Sequence, residues 1–225
     1  MKKRILVTGG TGYIGSHTVY ELIDRGEDVI VVDNLQTGFK AAVHPKARFY
    51  EGDIRDKAFL DDLFTKEKID GVIHFAANSQ VGESMKVPLK YYDNNLYGTM
   101  VLLESMVEHG IDKIVFSSTA ATYGEPERIP LTEDCKIGGT TNPYGTTKLF
   151  IEQILQDLYK SDNTWDIAIL RYFNPVGAHE SGLIGEEPQG IPNNLMPYIV
   201  RVAAGQLEQL SVFGNDYDTP DGTGV

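Results

Sequence analysis

Short runs of aliphatic and β-branched residues alternate with amphipathic stretches along the first three quarters of the chain. Arg4-Ile5-Leu6-Val7-Thr8 reads as a buried strand and residues 12–25 as the helix that follows it. Further strands are expected at Val29–Asp33, Arg48–Glu51, Gly71–Phe75, Lys113–Ser117 and Asp166–Leu170, with helices near 57–67, 89–109 and 143–160. These strands are apolar throughout rather than alternating, the pattern expected when helices cover both faces of a parallel sheet. The predicted fold class is therefore α/β, a doubly wound parallel (Rossmann) sheet, whose ligands bind at the carboxyl ends of the strands. After Leu170 the pattern changes. Residues 172–197 are rich in Gly, Pro and Asn and read as long loops, before a helix at Leu195–Ala204 and a short strand at Leu210–Phe213. The end, Asp221-Gly222-Thr223-Gly224-Val225, is turn-like.

The first strand-to-helix connection carries Gly9, Gly12 and Gly15 in Thr8-Gly9-Gly10-Thr11-Gly12-Tyr13-Ile14-Gly15. Glycines there allow a tight turn and close approach of a diphosphate, and the helix N-terminus supplies free N–H groups with a partial positive charge. The next strand ends in Asp33, 18 residues after Gly15, against roughly 20 expected for a ribose-binding carboxylate. A carboxylate there accepts from an adenosine 2′-hydroxyl and repels a 2′-phosphate, so the expected cofactor is NAD, held by Gly9, Gly12, Tyr13, Ile14, Gly15, Asp33 and Asn34. Asp53 and Ile54 end the third strand, where they can hold the edge and face of the adenine. Phe75, Ala76 and Ala77 end the fourth, where small residues let the dinucleotide pass.

Asn142-Pro143-Tyr144-Gly145-Thr146-Thr147-Lys148 reads as a helix start, with Asn142 as N-cap and Pro143 at the first helical position. Tyr144 and Lys148 then share one face. A tyrosine titrates near pH ~10, too high for a base at neutral pH. A neighbouring ammonium and a positive nicotinamide ring are expected to bring it down. Thr119 ends the fifth strand in Ser117-Ser118-Thr119 and can relay the proton of a reacting substrate oxygen to Tyr144.

Composition narrows the classes. The net charge is −12, from 32 acidic and 20 basic residues, without the clustered positive charge that nucleic acid or anionic membranes require. The single cysteine, Cys135, allows no disulfide within the chain. No apolar run reaches the length of a membrane span, and the stretch after Arg4 stops at Gly9, too short for a signal peptide. The expectation is a soluble cytoplasmic protein. The histidines show no metal-ligand spacing, so no metal is expected.

These residues resemble the extended short-chain dehydrogenase/reductase family, and within it the branch that epimerises nucleotide sugars. The resemblance also rests on Gly15-Ser16-His17-Thr18, Val81-Gly82-Glu83-Ser84, Tyr91-Tyr92-Asp93-Asn94-Asn95, Leu170–Ala178 and Gly190–Tyr198, and it runs over essentially the whole chain. It implies interconversion of UDP-galactose and UDP-glucose, as in galactose metabolism, through a transient 4-keto sugar and tightly held NAD. In that scheme Tyr144 takes the C4 hydroxyl proton, Thr119 bridges the two oxygens, Lys148 tunes Tyr144, and the C4 hydride passes to NAD and back to the other face. It further places Asn94 and Tyr172 on the cofactor, and Asn174, Asn194 and Phe213 on the sugar nucleotide. Helices 89–109 and 143–160 fit either packing on the sheet alone or, as the family implies, pairing into a homodimer.

The sequence departs from the family pattern in three places. Thr119 stands where many members have Ser, and Ser79 where some have a Lys on the NAD ribose. The pattern also continues past Val225, beginning with an Arg on the diphosphate. The expected division is an NAD-binding Rossmann domain over 1–173 and the truncated start of a smaller substrate-binding domain over 174–225. A 4,6-dehydratase of the same superfamily carries Asp-Glu directly after the hydroxyl residue, and a decarboxylase also wants an acid there, where this chain has Ala120 and Ala121. NAD binding without turnover is the other open reading for a chain of this length.

Overall fold

The computed structural model describes residues 2–190 and 192–223. Met1, Ile191, Gly224 and Val225 lie outside the described residues, so the Gly190–Tyr198 string is followed except at Ile191, and the terminal turn as far as Thr223. Six strands, β1 (Arg4–Thr8), β2 (Asp28–Asp33), β3 (Arg48–Glu51), β4 (Gly71–His74), β5 (Lys113–Thr119) and β6 (Asp166–Tyr172), form one sheet in the order β3-β2-β1-β4-β5-β6. Every neighbouring pair is parallel. The order reverses beside β1, so the crevice at the carboxyl ends of β1 and β4 is the topological switch point.

Helices α1 (Tyr13–Asp24), α2 (Lys57–Glu67), α5 (Gly98–Glu108) and α6 (Pro143–Ser161) flank the sheet. One face packs Leu6, Ile30, Leu60, Leu63, Leu102, Met106, Ile114, Phe116, Ile151 and Leu155, and the other packs Val7, Val19, Ile23, Val29 and Val31. This is why β1 and β2 carry no polar alternation. The caps follow local chemistry: Asp56 accepts from Phe59 N at 3.0 Å to start α2, and Asn142 accepts from Gly145 N at 2.8 Å to start α6 behind Pro143.

Two expectations in this unit are corrected. The single helix expected over 89–109 is preceded by α3 (Val81–Lys86) and then runs through α4 (Pro88–Tyr91), a π-helical turn (Tyr92–Tyr97) and α5. Pro88 imposes the restart, because it disfavours a helical residue before it, and the wide turn carries Asn94 and Asn95 together into the interior. Strand β6, expected to be buried throughout, has β5 as its one strand neighbour and alternates between exposed and half-buried positions, with Leu170 43% exposed.

The chain divides into two compact units, Met1–Gly185 and Glu186–Val225. In the first, residues past β6 are held by Tyr13, whose hydroxyl donates to Gly177 O at 2.5 Å, and by a tilted ring contact of Tyr20 with His179, centroids 5.0 Å apart. The second contains α7 (Leu195–Ala203). Residues 210–213 form no strand there, and Val212 and Phe213 are 75% and 86% exposed. A four-residue segment without a ladder partner has no hydrogen bonds to hold it extended. Among the described residues no helix is long and apolar enough to cross a membrane.

A buried ion pair ties α6 to the edge of the sheet. Glu152, fully buried, accepts from Arg171 Nη2 at 2.7 Å, Arg171 Nε at 3.0 Å and Ser118 Oγ at 2.5 Å, while Arg171 Nη1 donates to Tyr123 Oη at 3.0 Å. Glu152→Ala strands that guanidinium and is expected to cost about 3–5 kcal/mol, measured by urea denaturation.

Candidate active site

The carboxyl ends of β1, β2, β4, β5 and β6 bring the candidate residues of the first unit together. Gly9 has φ +72°, and a Cβ there would lie 2.5 Å from Ala76 N. A Cβ at Gly15 would lie 2.1 Å from Gly9 O. Both glycines are thus required by close packing of backbone on backbone. Gly12 differs, because a Cβ there would meet only Gly9 O at 3.5 Å. Packing does not require this glycine, and the open space it leaves at the N-terminus of α1 gives room for close approach of a phosphate group. No side chain caps that N-terminus.

Asp33 closes the same cradle from β2, accepting from Thr11 N at 3.1 Å and Leu35 N at 2.9 Å. Asn78 is buried, and among the described residues its Nδ2 has no hydrogen-bond partner, although its Oδ1 accepts from Gln36 Nε2 at 3.3 Å. A buried amide donor left open beside the β4 exit can serve a polar ligand or water. The cradle therefore fits a dinucleotide on two counts, Gly12 and Asn78. Phe75 reaches across to Tyr172, ring centroids 6.4 Å apart.

Asp53 is differently engaged from its sequence expectation. Its carboxylate accepts from Arg55 N and Nε, both at 2.9 Å, from Arg55 Nη2 at 2.7 Å and from Asn34 Nδ2 at 3.0 Å. Arg55 holds the group far below the usual carboxylate range. Asp53 and Asn34 are thus a mutually bonded frame, and Ile54 is buried against Gly98.

At the mouth of β5, Thr119 and Tyr172 stand in register on neighbouring strands. The Tyr144 phenol is half-buried; burial pushes its pKa above the ordinary value, and a hydrogen bond with Thr119 pulls the other way. The ammonium expected to lower it has no part in this shift. The reason is Lys148 itself, which burial depresses to about 7, so that it is only partly charged near neutrality. Lys148 Nζ donates to Ser117 O at 2.7 Å and sits 4.8 Å from the centre of the Phe116 ring.

His74 stacks on the same Phe116 ring, with centroids 5.9 Å apart. Burial, and then the charge of Lys148, depress it to about 3, so it is neutral. Its tautomer follows from its partners. Thr99 Oγ1 donates to Asn95 O at 2.6 Å, so it accepts from His74 Nε2 at 2.8 Å, leaving Nδ1 to accept from Thr8 Oγ1 at 2.7 Å.

The three residues expected on the sugar nucleotide lie after β6. Asn174 is exposed beyond β6, and Asn194 and Phe213 belong to the second unit, where Asn194 Nδ2 donates to Glu186. Sequence reasoning missed Asn78, Asn95, Glu152 and Arg171. The available signal was two consecutive asparagines inside a helical pattern, against their propensity. Among the described residues no cluster of side chains could hold a metal ion.

The sequence profile of the NAD dependent epimerase/dehydratase family matches residues 5–224. The chain is 58% identical over 228 residues to the UDP-glucose 4-epimerase of Haemophilus influenzae, covering 98% of this chain and 68% of that one. It is 57% identical over 228 residues to the UDP-glucose 4-epimerase of Bacillus subtilis, covering 98% of this chain and 67% of that one. Among solved structures, the UDP-glucose 4-epimerase of Bifidobacterium longum in complex with NAD+ and UDP superposes with a TM-score of 0.93 at 53% identity, covering 99% of this chain and 68% of that one. The chain thus spans about two thirds of the length of these relatives.

Lys148 has a measurable consequence for stability. Its folded pKa, about 7, lies below its unfolded value near ~10.4, so the penalty for burying the ammonium is complete below pH 7 and fades as pH rises toward ~10. Lys148→Met is expected to stabilise the fold by a few kcal/mol at pH 7, partly offset by the loss of the bond to Ser117. The gap from wild type should narrow at pH 9, as thermal denaturation at the two pH values would record.

Proposed function

Because the chain belongs to the NAD dependent epimerase/dehydratase family, we propose that it interconverts UDP-galactose and UDP-glucose by epimerisation at C4, through a transient 4-keto sugar. The observation that carries this reading is the convergence of Tyr144, Lys148 and Thr119 at the carboxyl end of β5, followed by Ala120 and Ala121. Elimination across C5–C6, the step of a 4,6-dehydratase, needs an acid and a base in those two places, and alanine offers neither.

NAD, when bound, supplies the acceptor for the C4 hydride and a positive ring that favours nearby negative charge. The N-terminus of α1 with Gly12 would hold its diphosphate, Asp33 its adenosine ribose, and Ile54 the adenine face. Phe75, Ala76, Ala77, Asn94 and Tyr172 would line the path to the nicotinamide. Tyr144 takes the proton of the C4 hydroxyl, passed through the Thr119 hydroxyl that bonds it, and returns it when the alcohol re-forms. The partly charged Lys148 lets the site hold either the phenol or the phenolate without a large change in net charge.

The 4-keto sugar must present its other face before reduction, so its contacts have to be sparing around the ring and firm at the nucleotide. Asn174, Asn194 and Phe213 are the proposed nucleotide-sugar contacts, on the stretch 174–225 that begins the substrate-binding domain. The NAD-binding domain is the stretch 1–173. A cytoplasmic setting accords with a lone cysteine, Cys135, and NAD as cofactor.

A homodimer is the proposed assembly. α5 and α6 leave an apolar groove of about 430 Å³ lined by Met100, Leu103, Val107, Ile154 and Leu158, with Val107 and Met100 well exposed. Such a face invites an equivalent one by two-fold symmetry.

Incubation of the chain with UDP-galactose, without added cofactor, is expected to yield UDP-glucose by NMR. A 4-keto-6-deoxy product would refute the reading. Tyr144→Phe should lower turnover by about 10²-fold or more. Val107→Glu should convert the dimer to monomer in sedimentation equilibrium, and a wild-type chain that sediments as a monomer would remove the assembly.

A further inference from the structure

The loop after β2 is fastened to both sides of the switch-point crevice. Asp33, the last residue of β2, accepts from Thr11 N at 3.1 Å, and Phe39 N donates to Thr11 O at 3.3 Å. Gly38 lies against the same residue, where a Cβ would come within 2.7 Å of Thr11 C. The loop is thus pressed onto the glycine turn, and its tip reaches further. Gln36 Nε2 donates to Asn78 Oδ1 at 3.3 Å, a residue 42 positions along the chain and just beyond β4. β1 stands between β2 and β4 in the sheet. The bond therefore crosses the carboxyl end of β1, from one wall of the crevice to the other.

The two ends of this bond are built differently. Asn78 is 7% exposed, and its peptide N–H and C=O are both taken by the Asn95 side chain, so it is a fixed post. Gln36 is exposed and belongs to neither apolar layer, so the packing of the sheet does not call for the contact. Its direction is set by the backbone before it. Leu35 has φ +58°, a left-handed conformation unfavourable for a bulky side chain. It is held there by Asp33 Oδ1, which accepts from Leu35 N at 2.9 Å, and by Asn34 Oδ1, which accepts from Gln36 N at 3.0 Å. Strain of this kind persists only where the surroundings over-determine it.

We propose that Gln36 and Asn78 form a clasp over the cofactor crevice, a pair of residues that governs how long a bound dinucleotide stays. The proposal rests on the reading above that NAD occupies this crevice. A diphosphate at the glycine turn would be enclosed between that turn and the Gln36–Asn78 bond, and release would require the bond to open. Both partners are neutral amides, so the clasp closes beside a diphosphate without charge repulsion and without burying an ion. A single neutral hydrogen bond with one exposed partner also opens without unfolding the loop, which makes its effect on release real but modest.

The test uses the full chain loaded with ¹⁴C-labelled NAD, and reads the rate at which label is lost when excess unlabelled NAD is added. Gln36→Leu keeps the size and removes the donor, and is expected to speed loss by about threefold to tenfold. Asn78→Leu should speed it as well, and the doubly substituted chain should lose NAD no faster than Asn78→Leu alone, because one bond has been cut at both ends. Gln36→Asn keeps the amide but is one methylene too short, and should behave like Gln36→Leu; this comparison decides the matter if Asn78→Leu does not fold. Wild-type rates in Gln36→Leu or Gln36→Asn, or effects that multiply in the double substitution, would overturn the clasp while leaving the NAD site standing. A wild-type chain that binds no NAD would instead overturn the underlying reading, and the clasp with it.

Discussion

Helix α6 lies along the end of β5, and three of its side chains, spaced four residues apart, reach three consecutive strand residues. Tyr144 bonds Thr119, Lys148 bonds the carbonyl of Ser117, and Glu152 bonds Ser118. One register between one helix and one strand therefore sets the whole reactive end of the sheet. The Glu152–Arg171 pair makes that register expensive to slip, because any shift would leave a buried charge without its partner. The chemistry at Tyr144 and Thr119 inherits its geometry from this anchor, two turns further along the same helix.

The same strand end also explains an internal tension. A lysine buried this deeply destabilises the folded chain, and a histidine held neutral beneath it adds a second polar group that must be fully bonded. The column Thr8–His74–Thr99–Asn95 satisfies that requirement without placing a second charge near Lys148. Burial thus keeps the site responsive, with one group near its midpoint at neutrality and its neighbour locked out of titration.

Much of this was legible in the sequence, for reasons that can be named. Strands β1 to β5 were readable because a sheet covered on both faces writes continuous apolar runs, and Arg4–Thr8 and Arg48–Glu51 fall where expected. The start of α6 was readable because Asn142 and Pro143 carry local cap chemistry, and the convergence of Thr119, Tyr144 and Lys148 followed from it. What escaped depends on partners far apart in the chain. Glu152 looks like one more solvated acid on an amphipathic helix until Arg171 arrives beside it from β6. Asn95 looks like one more position of the helix expected over 89–109 until the π-helical turn carries it inward. Asp53 gives no sign in sequence that Arg55, two residues on, bonds its carboxylate. The half-exposed face of β6 was invisible because apolar content alone does not say whether a strand lies at the edge of a sheet.

That edge has a consequence for how the molecule behaves among copies of itself. Among the described residues β6 has one strand neighbour, with Leu170 open on its face, and an unpaired row of backbone groups can accept a strand from a neighbour. What opposes this is long-range repulsion from the net charge of −12, whose reach shrinks to about 8 Å at physiological ionic strength. Salt therefore acts as a colloidal control on this chain. Raising the ionic strength shortens that repulsion and so lets two such edges approach more closely.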